Sequence, residues 1–206
     1  MGLIYEDMKV FAKKIGMTQV YDERGFHTAV TILQLKQCVV LGGRSMNKDG
    51  YLGRIVGEIA DGFVAKKSVA GQFKNFPGVK RVKEEKISSE DQIEIGKKIN
   101  SDDFVIGDKL IVYGVSKGKG FAGTVKRHSF NTGPKTHGSN NYRQPGSIGP
   151  TYPQRTILGR RMAGHMGADN IKLKQIKVIR IEKEINRIWV KGSVPGANKS
   201  EVILEK

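Results

Sequence analysis

Residues 116–168 read SKGKGFAGTVKRHSFNTGPKTHGSNNYRQPGSIGPTYPQRTILGRRMAGHMGA. These 53 residues hold nine Lys/Arg, at 117, 119, 126, 127, 135, 143, 155, 160 and 161, and neither Asp nor Glu. Ten are Gly, and Pro stands at 134, 145, 150 and 153. Apart from a short piece between Phe121 and Phe130, no apolar period of two or 3.6 crosses the stretch. A compact domain rarely carries so long a segment without regular structure, because ordering it costs backbone entropy that no core offsets. The stretch is therefore either disordered or ordered by something outside the chain, and its charge makes that outside object a polyanion.

The whole chain of 206 residues has 36 Lys/Arg against 20 Asp/Glu, a net charge of +16. That imbalance favours a nucleic-acid partner over the weaker alternative, an anionic membrane surface. Apolar residues make up 38% of the chain, enough for one domain with a core plus an appendage. Cys38 is the only cysteine, which excludes an internal disulfide and a Cys-based zinc knuckle. It reads as a small core residue in the run Cys38-Val39-Val40-Leu41. Glu6, Asp7 and Lys9 interrupt any signal-peptide apolar run, and no window approaches the roughly 20 apolar residues of a membrane span. The expectation is a soluble, basic protein of a reducing compartment.

Outside the basic stretch the pattern is that of strands. Val10 and Ala12, then Met17 and Val20, predict two short strands flanking Lys13-Lys14, and Asp22 to Gly25 reads as a turn. His27–Leu35, Val39–Leu41 and Tyr51–Ile59 follow, separated by a turn through Asn47 and Gly50. Asp108–Val115, Ile171–Glu182, Arg187–Val194 and Glu201–Leu204 supply the remainder. Strands at this spacing, punctuated by Gly turns, predict a mainly β fold: a small antiparallel β-barrel formed by 1–60, 101–115 and 169–206. Trp189 is expected to pack in or against it. Residues 61–100 read as an inserted α/β region, with Val69, Phe73 and Phe76 forming one helical stripe ahead of Pro77-Gly78. Val79–Ile87 then alternates, and the acidic stretch from Ser88 to Asp103 reads as solvated. The basic stretch 116–168 thus lies between two strands, a non-globular extension loop and not a tail. Each of its two arms has roughly 26 residues and spans up to roughly 85 Å when extended.

Gly118-Lys-Gly-Phe-Ala-Gly123 matches the dinucleotide fingerprint G-x-G-x-x-G, but the next acidic residue after Asp108 is Asp169, too far to hold a ribose. The glycines are better read as letting backbone lie against phosphates that Lys117 and Lys119 neutralise. The four His (27, 128, 137, 165) lack metal-ligand spacing and acid or Cys companions. The stretch has hydroxyls but no carboxylate to orient a catalytic base, so no enzymatic activity is expected. Phe121, Phe130, Tyr142 and Tyr152 are interleaved with Arg127, Arg143, Arg155, Arg160 and Arg161, the mixture of stacking and charged groups that grips folded RNA. Duplex DNA would call for a recognition helix or ribbon, and none is legible.

The same residues carry a resemblance. Ser116 to Arg127, Thr136-His-Gly-Ser139, Arg143, Pro145-Gly-Ser-Ile-Gly149, Met162-Ala-Gly164 and Gly167 resemble the large-subunit ribosomal protein L3 (uL3) family. Lys13-Lys14-Ile-Gly-Met-Thr18 and Val190-Lys-Gly-Ser-Val-Pro-Gly196 match it in the same order, and the length resembles the bacterial or organellar type. The resemblance implies a translation-protein-like barrel, an inserted region, and a loop threaded into large-subunit (23S-type) rRNA. It also implies neighbouring large-subunit proteins as partners and an early role in assembly. No cofactor, membrane or small-molecule substrate is implied, and the location is a cytoplasmic ribosome or an organellar one.

The rRNA-binding residues expected on that basis are Lys13, Lys14, Lys117, Lys119, Lys126, Arg127, His128, Lys135, His137, Arg143, Gln144, Arg155, Arg160, Arg161, His165 and Lys172. The loop tip, near the peptidyl-transferase centre without supplying catalytic groups, is expected at Gly149, Pro150, Thr151, Tyr152, Pro153, Gln154, Arg155 and Thr156. Here the chain departs from the usual bacterial pattern, a Gln-rich segment followed by Pro-Gly-Lys, and is one residue shorter. The methylated glutamine of some members has no counterpart to carry over. Two readings of other classes are an RNA-modifying or nucleotide-using enzyme built on the glycine motif, and a DNA-compacting protein.

Overall fold

The computed structural model describes residues 8–21, 25–87 and 93–206. Of the expected turn at Asp22 to Gly25 only Gly25 falls among them, and part of the acidic stretch from Ser88 lies outside them. The chain divides into two units, Met1–Val115 with Asn170–Lys206, and Ser116–Asp169.

In the first unit six strands hydrogen-bond in a closed ring. Strand β1 (Lys9–Tyr21) lies between β12 (Glu201–Glu205) and β2 (His27–Leu35); β7 (Lys109–Val115), β10 (Asn170–Glu182) and β11 (Arg187–Lys191) complete the order β1-β12-β7-β10-β11-β2. Every neighbouring pair is antiparallel. The two longest strands turn the corners by changing partner. Residues Lys9 to Lys13 of β1 lie against β12 and Ala12 to Tyr21 against β2, with a bulge between Lys14 and Gly16. A bulge bends one strand and sharpens its twist, so Val10 and Met17 belong to one bent strand where two were expected. In β10 the apolar residues Leu173 and Ile176 are three apart, which breaks a period of two. The register shifts there, with Gln175 at φ 59°.

The remaining strands form a separate sheet. β3 (Cys38–Arg44) and β4 (Gly53–Ile59) make a hairpin whose connection holds the one-turn helix α1 (Met46–Asp49), β5 (Val79–Lys86) adds to its β4 side and β6 (Lys98–Ile99) to its β3 side. The fold expected from the sequence, one small antiparallel β-barrel carrying an α/β insertion, is therefore not the one found. Residues 38–59 leave the ring, and residues from 61–100 contribute strands to the sheet those residues begin. The helical stripe does form: α2 (Lys67–Gln72) and the turn after it bring Val69, Phe73 and Phe76 against Leu41, Ile55 and Val79.

One apolar core serves ring and sheet. Val10, Leu33, Leu110, Val112, Val178, Ile188 and Leu204 of the ring pack with Cys38, Val40 and Val56 of the sheet. Burial pushes the Cys38 thiol up to about 12, so it stays a neutral, inert core residue. A polar staple joins the same two layers. Glu85 on β5 stands in register with Arg54 on β4 and bonds its guanidinium, while the backbone N–H of Lys9 donates to the other carboxylate oxygen at 2.5 Å. Trp189 sits half-buried on β11 beneath the Arg180 guanidinium, 5.2 Å from its ring.

The second unit begins at the ends of two paired strands, β7 and β10, where Val115 faces Asn170. Its base is regular: β8 (Gly120–Ala122) pairs antiparallel with β9 (Gly164–Met166), and α3 (Thr124–His128) follows β8. Between them, residues 129–163 contain no helix or strand.

Candidate nucleic-acid interface

The base of the second unit is held by backbone and by two side chains of α3. The Ser116 N–H donates to the Asp169 carbonyl at 2.9 Å, and the Lys119 N–H to the Met166 carbonyl at 2.9 Å. Gly167, at φ 80°, lies so near the segment between β7 and β8 that a Cβ there would meet the Lys117 carbonyl at 2.2 Å. No other residue fits that site. On α3, Arg127 donates through Nη1 to the Met162 carbonyl at 2.7 Å, and His128 Nε2 lies 3.0 Å from the same oxygen. Both side chains are half-buried. Two of the expected rRNA-binding residues therefore also clamp the returning arm. Lys117, Lys119, Lys126 and His165 are exposed around this base.

The glycine motif Gly118 to Gly123 spans β8 and the start of α3. A dinucleotide site needs a strand that feeds a helix and continues into a parallel neighbour. Here the strand is three residues long, the helix five, and the pairing antiparallel.

Between the clamps, residues 129–163 contain no buried residue. Local contacts shape the segment instead. The Gly133 N–H donates to the Tyr142 carbonyl at 2.9 Å, the Lys135 ammonium lies 5.2 Å from the Tyr142 ring, and Arg160 donates to the Ser147 carbonyl. Lys135, His137, Arg143, Gln144, Arg155, Arg160 and Arg161 are all exposed. So are the expected tip residues Gly149 to Thr156 apart from half-buried Pro153, with Tyr152 85% exposed and the Tyr152-Pro153 peptide cis. Residues 116–168 thus present nine cations and no carboxylate, and five of the nine stand in the 129–163 segment, where nothing is buried.

The residues expected in the first unit fare differently. Lys13 is half-buried on β1. Lys14 is 6% exposed and donates to the carbonyls of Val194 and Gly196 at 2.7 and 3.1 Å. Enclosed by these two carbonyls, its ammonium ties the β1 bulge to the segment before β12. Lys172 is exposed on β10, its ammonium 4.9 Å from the Tyr113 ring. Burial and a hydrogen bond to Glu205 push the Tyr113 hydroxyl up, with Lys172 opposing.

Comparison with known proteins agrees with the extension's character. The model of the family described as Ribosomal protein L3 matches residues 78–187. The large ribosomal subunit protein uL3 of Carboxydothermus hydrogenoformans is 37% identical over 203 residues, covering 96% of each chain. This chain belongs to the ribosomal protein L3 family. Its relatives also include uL3 of Desulforapulum autotrophicum, 42% identical over 91% of this chain and 92% of its own. The uL3c protein of Gracilaria tenuistipitata is 42% identical over 91% and 93%.

This L3 chain also gathers cations that its sequence did not single out. Lys9, Arg81 and Lys83 join Lys172 and Tyr113 around a cleft of about 540 Å³ between β5 and the β7–β10–β12 side of the ring. Glu84 and Glu201 line it too, and Arg81 pairs with Glu201, so the cleft is of mixed charge. The run Lys80 to Glu84 of β5 is exposed and mostly charged, but which ring strand it meets depends on tertiary structure. Among the described residues no group of three His, Cys, Asp or Glu is placed to hold a metal ion. No helix among them is long and apolar enough to cross a membrane.

Proposed function

We propose that this L3 chain is a structural protein of the large ribosomal subunit. It binds large-subunit rRNA, sits beside neighbouring large-subunit proteins, takes part in assembly of the subunit, and catalyses no reaction. Residues 116–168 are the rRNA-penetrating arm in this reading, and 149–156 its tip, which supports the peptidyl-transferase region. The observation that carries the proposal is the acid-free stretch 116–168: it holds nine cations, five of them within a 129–163 segment in which no side chain is buried. Such a segment gains its order from counterion release and stacking when it meets RNA. The family relationship supports the same reading, since the relatives bear the name large ribosomal subunit protein.

The ribosome in question is of the cytoplasm or of an organelle, and the relatives named uL3 favour the cytoplasmic one. Sucrose-gradient fractionation of a lysate tests the proposal. The chain is expected in the large-subunit and whole-ribosome fractions; finding it at the top of the gradient or with the nucleoid would contradict it.

A further inference from the structure

We propose that Phe121 and His165 form a platform on which one unpaired nucleobase of the rRNA stacks; this rests on the rRNA-binding reading above. The two residues face each other across the β8–β9 pair, Phe121 opposite His165 in register. Directly opposed residues of an antiparallel pair put their side chains on the same face, with Cβ atoms about 5 Å apart. The other face is already occupied. Ala122 is buried, and across from it Gly164 has the Arg127 guanidinium 2.8 Å from where a Cβ would stand. Alternation therefore directs Phe121 and His165 away from the packed side. Phe121 is 80% exposed and His165 is exposed.

A lone exposed Phe is ordinary on a protein surface. This one has a second planar ring beside it, no aliphatic residue on its face of the ribbon, and exposed Lys117 and Lys119 just before it on the chain. An apolar protein surface would be a poor match for a site ringed by cations. A nucleotide suits it, because the flat face of its base covers the rings while the backbone phosphates beside it meet the lysines. The ribbon is fixed at one end by the Lys119–Met166 and Ser116–Asp169 backbone bonds and at the other by the Arg127 hydrogen bond to the Met162 carbonyl, so the two side chains are held ready before RNA arrives.

Four variants at one position test the platform by binding to a large-subunit rRNA transcript across a salt series. Because Phe121 is exposed, all four should keep the wild-type unfolding midpoint. Phe121→Ala and Phe121→Leu are expected to weaken binding by about 5- to 150-fold, and Phe121→Tyr to keep it, with the salt slope unchanged throughout. In Phe121→Trp the new indole should be quenched on binding, beyond any change of Trp189 in the wild type. Wild-type affinity in Phe121→Ala would overturn the platform alone. Full affinity in Phe121→Leu would also overturn it, by showing that any apolar group serves. A wild-type chain that fails to bind the transcript would overturn the rRNA reading and the platform together.

Discussion

Two lysines adjacent in sequence, Lys13 and Lys14, show how little a charge says about its role until its surroundings are known. The Lys14 ammonium is enclosed by the Val194 and Gly196 carbonyls. Lys14→Ala should therefore lower stability by about 3 kcal/mol in urea unfolding, since hydrogen bonds to a buried charge are lost and two acceptors are stranded. Lys117→Ala, at an exposed site, should leave stability unchanged and weaken rRNA binding. Glu85 gives the pH counterpart. Burial raises its carboxyl above the ordinary range, against the opposing effects of Arg54 and the Lys9 N–H. A carboxyl raised in the fold holds its proton where the unfolded chain has lost it. Stability from this group therefore falls as pH rises from the unfolded value through the folded one. Arg54→Met removes the main opposing charge and widens that window. The variant should be destabilised by about 3–5 kcal/mol at neutral pH and recover part of the loss on acidification, as followed by thermal unfolding between pH 7 and 4.

At the scale of elements, the sequence was most legible where one periodicity ran unbroken. His27–Leu35, the β3–β4 hairpin and β7 were readable as apolar, β-branched runs bounded by turn residues, and the α2 stripe from the spacing of Val69, Phe73 and Phe76. Strands with bulges were harder. The Lys14/Gly16 shift made β1 look like two pieces, whereas the three-residue step from Leu173 to Ile176 in β10 carried a signal that alternation alone passes over. Membership of ring or sheet was not legible, because Val40 and Val56 look like any other strand residues until the shared core forms. In the second unit the clamp on Met162 was equally hidden, since nothing in the sequence ties Arg127 and His128 to a carbonyl 35 and 34 residues further on. Arg127→Ala should speed amide hydrogen exchange in β9, which loses its tie to α3, while exchange in β2 and β11 stays as in the wild type.

For the molecule as a whole, charge is distributed by task. All twenty acids stand outside residues 116–168, several of them in pairs with cations, such as Arg54 with Glu85 and Lys206 with Asp108. The 116–168 stretch has nine cations and no acid, out of a net charge of +16. That asymmetry was fully legible in sequence, as was the lack of a core in the arm, because both depend on composition and not on packing. The contacts that shape the arm were not, since they run through backbone carbonyls that any residue supplies. The most direct test is the salt dependence of binding to a large-subunit rRNA transcript, for the full chain and for one in which a short linker replaces 129–163. If about six arm cations meet phosphates, the log–log slope for the full chain should be roughly −4 to −5, and the shortened chain should bind weakly with a shallower slope. A nearly salt-independent affinity, or one that survives loss of the arm, would contradict the account.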